Sequence, residues 1–359
     1  MRNHGWSGLS KAAVVLTLSG YVFSVPAAAQ EHPLPAGTPL PRDAQVLSPY
    51  DPVGLVARMA EVRSGLPNVM LTGYWPPTND MLRQFSPNPA QNPGGWVGEN
   101  WENRGYNIYA FFPEFPQGLG KGEGDFEVDY QDTSADFWYY TGIVQPMALM
   151  TFGRAGDDHY WEVEMRQRNL QESAWFNDYL APVKPTPAPP DSSYPPNAYR
   201  WSSLPVDVIA SDVNSASLGI TAFVDWTGYC GAFLCEYVAY HAAWYHDLRA
   251  DPLDPLWNLA AGHTHVGGLI DVPSATAAAE ISLRAVLTAV DSWRLYTGDL
   301  NCDYSVDFAD INPFVLRLSN PQGYRDAFPR CLDANGDINL DGSVDFGDIN
   351  PFVALLTGQ

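Results

Sequence analysis

Cys235 and His265 are the two residues whose types and spacing best suit covalent chemistry in this chain. Cys235 follows a Gly-containing turn, Cys230-Gly231-Ala232-Phe233-Leu234, at the start of an expected helix. There, unpaired backbone N–H groups and the positive end of the helix dipole favour thiolate over thiol. His265 closes an expected strand, Ala261–Val266, so two neighbouring elements can bring an imidazole beside a sulfur. A thiolate paired with a base is the nucleophile of acyl transfer. His263 lies two residues earlier and shares a strand face with His265, a pair that could bind a metal if a second cluster completed the site; the sequence offers none. His241 falls on an apolar helical face with Leu234, Val238 and Tyr245 and reads as a satisfied buried histidine.

The elements that position these groups alternate. Val206, Ile209 and Val213 line a helix that Gly219 can end, and Ile220–Trp226 is an apolar run short enough for a buried strand. Upstream, Val69–Leu71, Tyr106–Phe112 and Pro146–Phe152 read as strands, with Gln131–Gly142 as a helix. Trp161–Asn169 alternates in the strand manner with Glu162, Glu164, Arg166 and Arg168 on one side, the pattern of a solvated edge strand. Pro182–Pro196 is too rich in proline for a helix or central strand and reads as a long surface loop or a flap over a cleft. Ser274–Trp293 closes the region as a helix with Leu283, Val286, Leu287 and Val290 on one face. Strands alternating with helices imply an α/β sandwich (an α/β/α arrangement) around a mixed, largely parallel sheet over residues 67–294.

Composition narrows the setting. With 19 basic and 41 acidic residues, the net charge of −22 disfavours phosphate backbones and anionic lipid, so no nucleic acid partner is expected. Residues 1–29 carry Arg2, His4 and Lys11 ahead of the apolar run Ala12–Val25 and an Ala27-Ala28-Ala29 end, the layout of a bacterial Sec-type signal peptide. Residues 30–66 read as a Pro-rich lead-in, and no membrane span is expected after signal cleavage. The expected localisation is secreted or extracytoplasmic. Four cysteines in such a chain invite disulfides: Cys302 and Cys331 are expected to pair, leaving Cys230 and Cys235 either as thiols or as a small disulfide loop.

Several separated motifs together resemble the type I pyroglutamyl peptidase (pyrrolidone-carboxylate peptidase) family, cysteine peptidases that remove an N-terminal pyroglutamyl residue. They are Cys230-Gly231-Ala232-Phe233-Leu234-Cys235, Thr264-His265-Val266-Gly267, Leu204-Pro205-Val206 ahead of Gly219-Ile220, and the turn Thr72-Gly73-Tyr74-Trp75-Pro76-Pro77-Thr78. Asn88-Pro89 or Asn92-Pro93 corresponds to a following Asn-Pro, and Ala155-Gly156 precedes Glu164 and Asn169 at family spacing. The resemblance implies Cys235 as nucleophile, His265 as base, Glu164 as the group orienting the imidazole, and Tyr74, Trp75 and Asn169 about the substrate, with a peptide as substrate and no cofactor for catalysis. The chain departs from the family pattern where a Gly-Arg is expected and Asp157-Asp158 stands, at Pro77 in place of a pocket aromatic, and at Glu236 after the nucleophile. A carboxylate in place of the cation disfavours thiolate and oxyanion and would suit a substrate with a positive amine.

The last segment is a separate unit. GDLNCDYSVDFADINPFV at 298–315 recurs as NGDINLDGSVDFGDINPFV at 335–353. Asp299, Asn301, Asp303, Ser305, Asp307 and Asp310, and then Asp337, Asn339, Asp341, Ser343, Asp345 and Asp348, fall at positions one, three, five, seven, nine and twelve of two loops, the oxygen-donor spacing of an EF-hand calcium loop. The duplication resembles the dockerin module, and so implies a small all-α domain over 298–359, two calcium ions, and a cohesin-like or other surface docking partner. Tyr304 stands where glycine usually permits the turn, and Phe308-Ala309 and Phe346-Gly347 stand where a Ser-Thr-like pair is usual. The expectation is therefore a secreted cysteine peptidase acting on N-terminal pyroglutamyl or related acyl groups. The alternatives are an inactive binding domain with Cys230 and Cys235 oxidised, or a component of polysaccharide degradation.

Overall fold

The computed structural model describes residues 66–116, 120–250, 256–294, 296–303, 305–329, 331–339 and 341–358. The signal-peptide expectation and nearly all of the lead-in lie outside them. In chain order, the elements are β1 (Asn68–Thr72), β2 (Asn107–Phe111), β3 (Pro113–Glu114), β4 (Glu123–Gly124), α1 (Tyr130–Val144), β5 (Ala148–Arg154), β6 (Tyr160–Glu164), β7 (Arg166–Arg168), β8 (Tyr199–Trp201), α2 (Val206–Ser215), β9 (Thr221–Asp225), α3 (Leu234–Leu248), β10 (Ala260–Val266) and α4 (Val272–Arg294).

Six strands form one sheet in the order β2-β1-β5-β10-β6-β9. The first four run parallel; β6 is antiparallel to β10, and β9 is parallel to β6. The sheet is therefore mixed and largely parallel, as the alternating pattern implies. Side chains alternate between its faces. Val69, Leu71, Ile108, Met150, Phe152, Trp161 and Val163 pack in one core with Val206, Ile209 and Val213 of α2 and Leu283, Val286, Leu287 and Val290 of α4. Met70, Tyr109, Phe111, Leu149 and Ala261 point the other way, into a second core with Phe137 and Tyr140 of α1 and Tyr237, Val238 and Tyr245 of α3. Two helices on each face make the sandwich.

Two sequence expectations are corrected. Trp161–Asn169 is not one solvated edge strand: β6 ends at Glu164 and lies inside the sheet between β10 and β9, while Arg166–Arg168 pairs separately with β8. Glu164 is fully buried. The edge is instead β9, which the apolar run Ile220–Trp226 suggested was buried; Thr221 and Trp226 are exposed. Hydrophobic run length does not distinguish an edge strand with one covered face from a central strand.

The proline-rich segment is fastened rather than loose. Asn169, itself buried, donates from Nδ2 to the carbonyls of Asp191 (2.8 Å), Tyr194 (2.9 Å) and Pro195 (3.4 Å), and its Oδ1 accepts from Asp191 N at 3.2 Å. Arg200 adds an ion pair with Asp191 at 2.6 Å and bonds to Tyr240 and Asp247. A cavity of about 570 Å³ is lined by Glu172, Ala181, Pro182, Val183, Lys184 and neighbours in this segment.

Toward the C-terminus, α5 (Ile311–Ser319), α6 (Pro321–Ala327) and α7 (Ile349–Thr357) enclose a small core of Leu300, Phe314, Tyr324 and Phe352, with a Cys302–Cys331 disulfide. The two repeat loops adopt the same hydrogen-bonded form: buried Asp310 accepts from Leu300 N and Asn301 N at 2.7 and 3.0 Å, and buried Asp348 accepts from Ile338 N and Asn339 N at 2.7 and 3.0 Å. Asp307 and Asp345 cap the helical turns that follow.

Asp125 supplies a pH-dependent test of the main fold. It is buried, one of its oxygens has no hydrogen-bond partner, and burial pushes its carboxyl up to about 8. Because the folded value lies above the unfolded one, the stability it contributes is complete below about pH 4 and is lost as pH rises through about 8. Asp125→Asn removes the titration, so thermal unfolding monitored from pH 5 to pH 9 is expected to show a variant melting temperature that falls less steeply than that of the parent.

Candidate active site

The alternation that builds the second core also builds the site. Continuing from Leu149 along β5 places Thr151 and Gly153 on the same face, continuing from Ala261 along β10 places His263 and His265 there, and β6 adds Glu162 and Glu164. These are the C-terminal ends of the parallel strands β5 and β10, where open α/β sheets place their ligands. The N-terminus of α3 covers them: the helix begins at Leu234 with no side-chain cap, and Cys235 lies in its first turn.

His265 Nδ1–H donates to Glu164 Oε1 at 2.7 Å, with Glu162 Oε2 at 3.9 Å. His265 and Glu164 are two of the side chains that the resemblance singled out, and the fold brings them together. The other nitrogen of His265, Nε2, has no hydrogen-bond partner, nor has Glu164 Oε2. Cys230 Sγ lies 3.9 Å from His265 Nδ1. Cys235 Sγ lies instead against Gly153: a Cβ on that glycine would be 1.9 Å from the sulfur and 3.0 Å from His263 Nε2. His263 Nδ1 is held by Thr151 Oγ1 at 2.8 Å, and its Nε2 also has no partner. The two imidazoles are T-shaped, with centroids 4.9 Å apart. The site thus holds two thiols and two imidazoles. Neither Cys230 nor Cys235 is in a disulfide, and both are buried.

Burial shifts the titration of these groups. It pushes Glu162 up to about 7 and Glu164 well above the usual carboxylate range, and it pushes His263 well below the usual imidazole value. Glu236, the departure after Cys235, is fully buried and holds local structure together. It accepts from Arg168 N (2.7 Å), Arg168 Nη2 (2.8 Å) and Cys230 N (3.1 Å), clamping the turn that carries both cysteines. Arg168 therefore supplies a cation beside the site, and it also stacks on Tyr229.

The remaining expected site residues separate into two groups. Trp75 stands between Phe115 and Phe233, with ring centroids 5.9 and 6.1 Å away and planes within 23° and 13° of parallel. Its Nε1 is buried without a hydrogen-bond partner. Phe233 is the N-cap of α3, two residues from Cys235, so this aromatic stack borders the site. Tyr74 is buried in the core beside Phe126, with its hydroxyl on Thr133 Oγ1 at 3.0 Å, and Asn169 is occupied with the proline-rich segment. Asp157 is exposed and pairs with Arg154 at 2.6 Å, so the acidic replacement is matched locally by a cation. Asp158 Oδ1 accepts from Tyr160 N at 2.9 Å. His241 is buried, bonded to Tyr237 O and Ser134 Oγ at 2.8 and 3.0 Å, as its apolar helical face implied.

Among the described residues, the trios of His, Cys, Asp or Glu with ligand atoms within 4.8 Å of one another are Cys230–His263–His265 and Glu162–Glu164–His265, both here; the carboxylates of the repeat loops form no such trio. Thr151, Gly153, Glu162 and the placement of Cys230 beside His265 were missed in the sequence. The signal available for them was the His-x-His spacing, which fixes a shared face but not what faces it.

No family model matches the chain, and no curated protein matches it in sequence. Among solved structures it is similar to pyrrolidone carboxyl peptidase from Thermococcus litoralis, at 16% identity and a TM-score of 0.46, covering 64% of this chain and 97% of that one. It is also similar to the enzyme from Pyrococcus furiosus, at 14% identity and a TM-score of 0.43, covering 62% and 99%. At such values the chemistry has to be read from this chain's own residues.

Gly153 provides the check on the geometry. In Gly153→Ala the new methyl would overlap Cys235 Sγ and its Cβ, so α3 or the thiol must move. Overpacking of this kind costs about 1–3 kcal/mol. A lowered melting temperature together with a changed alkylation rate at Cys235, read by mass spectrometry, is the expected outcome; an unchanged rate would mean the sulfur does not rest on β5.

Proposed function

We propose that this protein is a cysteine-type hydrolase that removes an N-terminal pyroglutamyl or related acyl group from peptides. The observation that carries the reading is the buried His265–Glu164 bond of 2.7 Å, with His265 Nε2 left without a hydrogen-bond partner under a helix N-terminus that bears a cysteine. Such a bond fixes the tautomer, so that Nε2 is the basic nitrogen. Cys235 is assigned as nucleophile because its first-turn position stabilises the thiolate. His265 would take the thiol proton, the sulfur would add to the acyl carbonyl, and first-turn N–H groups would receive the oxyanion. The leaving amine takes the proton back, and water then cleaves the thioester. The aromatic stack of Trp75, Phe115 and Phe233 suits a flat, uncharged ring, which supports the pyroglutamyl group over a charged residue.

The position of Cys230, 3.9 Å from His265 Nδ1, favours a second assignment in which that sulfur is the nucleophile. Hydrolysis of a pyroglutamyl-aminocoumarin substrate by the whole chain under reducing conditions separates the two. Loss of turnover in Cys235→Ala with retention in Cys230→Ala supports the first assignment, and the reverse supports the second. Glu164→Gln is expected to lower kcat by about a hundredfold or more, since His265 Nδ1 loses the partner that holds the ring's tautomer and orientation. Absence of turnover in the parent would overturn the hydrolase reading in favour of a binding role.

For the repeats, the proposal is that Asp299, Asn301, Asp303, Ser305, Asp307 and Asp310, and their counterparts Asp337, Asn339, Asp341, Ser343, Asp345 and Asp348, hold one calcium ion each in a dockerin-like module of a secreted protein. The donors are all oxygen, which suits a hard cation, and burial raises the Asp310 carboxyl in a way that a bound cation would offset. Calcium would draw the loop carboxylates together. Its binding to the folded form alone stabilises by about 2.7 kcal/mol at a hundredfold excess over Kd. A calorimetric transition that rises with calcium and falls with chelator, and that loses this response in Asp310→Ala/Asp348→Ala, is expected.

A further inference from the structure

The geometry points to a thiophilic metal site for Zn²⁺ formed by Cys230, His263 and His265, whose occupation withdraws His265 from acyl transfer. Cys230 Sγ and one ring nitrogen from each histidine lie within 4.8 Å of one another, and all three residues are buried. A tetrahedral zinc ion with Zn–S of about 2.3 Å and Zn–N of about 2.0 Å needs ligand separations of about 3.5 Å; Cys230 Sγ now faces His265 Nδ1 at 3.9 Å, so side-chain rotation at Cys230 and His265 must bring the sulfur to the Nε2 side. A Cys-His-His trio leaves the fourth position for water.

Three further observations favour a ligand here. Each histidine already has one nitrogen fixed, by Thr151 Oγ1 at 2.8 Å and by Glu164 Oε1 at 2.7 Å, and each is left with a buried Nε2 that has no hydrogen-bond partner. An imidazole oriented through one nitrogen by a hydroxyl or carboxylate, with the other left for the ion, is the usual outer-shell arrangement of a metal-binding histidine. The catalytic proposal uses only His265 of these two nitrogens; His263 Nε2 has no part in it. Finally, Glu162 and Glu164 crowd this buried site, where a divalent cation would offset their charge. On binding, the Cys230 S–H bond is replaced by an S–metal bond and the proton passes to solvent.

The probe is Co²⁺, titrated into the whole, chelator-stripped and reduced chain in excess Ca²⁺, which keeps hard oxygen sites filled; Zn²⁺ is then added to displace it. Expected are one equivalent of Co²⁺ with a near-ultraviolet thiolate-to-metal band that Zn²⁺ bleaches. The band should be lost in Cys230→Ser and kept in Cys235→Ser, and affinity should fall at least tenfold in His263→Gln. Absence of the band in the parent chain overturns the proposal without reference to any variant's folding, as does a band that survives Cys230→Ser or disappears only in Cys235→Ser. No substrate is present, so the result is independent of whether the peptidase assay succeeds.

Discussion

The structure turns on one buried hydrogen bond, from His265 Nδ1–H to Glu164 Oε1, made between adjacent antiparallel strands near the middle of the sheet. Burying a carboxylate costs several kcal/mol unless it is paired and hydrogen-bonded. Here the cost is offset by the imidazole on one side and by Arg168 nearby, which is itself held by Glu236. The antiparallel insertion of β6 makes this possible. β6 runs back along β10 and places Glu164 opposite His263 and Glu162 opposite His265, so both carboxylates share a face with the two histidines.

The same constraint explains the turn before α3. Glu236 binds the backbone of Cys230 and Arg168, so the helix N-terminus, the two cysteines and the arginine that faces the acidic groups form one unit. A shorter or neutral residue at 236 would leave the partly buried Arg168 guanidinium without its ion-pair partner and the turn without its clamp. What reads in the sequence as a departure is, in the fold, a positioning group. The glycine at 153 completes the arrangement, because any side chain there would occupy the space of the thiol.

The expected strands Val69–Leu71, Tyr106–Phe112 and Pro146–Phe152 are legible as short apolar runs, and the helices about Val206 and Leu283 as one-face apolar patterns; the observed elements fall within a few residues of them. Cys235 at a helix start and His265 at a strand end are legible for the same reason: both are marked by the boundary of a local pattern. Glu164 is not marked. Alternation placed it beside Glu162, Arg166 and Arg168 as though on a solvated face, since local sequence carries no information about which strand lies alongside.

By itself, then, the sequence determined the alternation of elements, the acidic character, the duplicated Asp-rich loops and the location of one thiol and one imidazole at element ends. The tertiary structure decided which groups meet: Glu164 with His265, Cys230 beside that imidazole, Cys235 against Gly153, His263 with Thr151, and Asn169 with the proline-rich segment. The reason is physical. Periodicity within an element is fixed by backbone geometry over a few residues, whereas contacts between elements depend on strand order and direction. Those are set by how two apolar faces can be covered at once, a property of the whole chain.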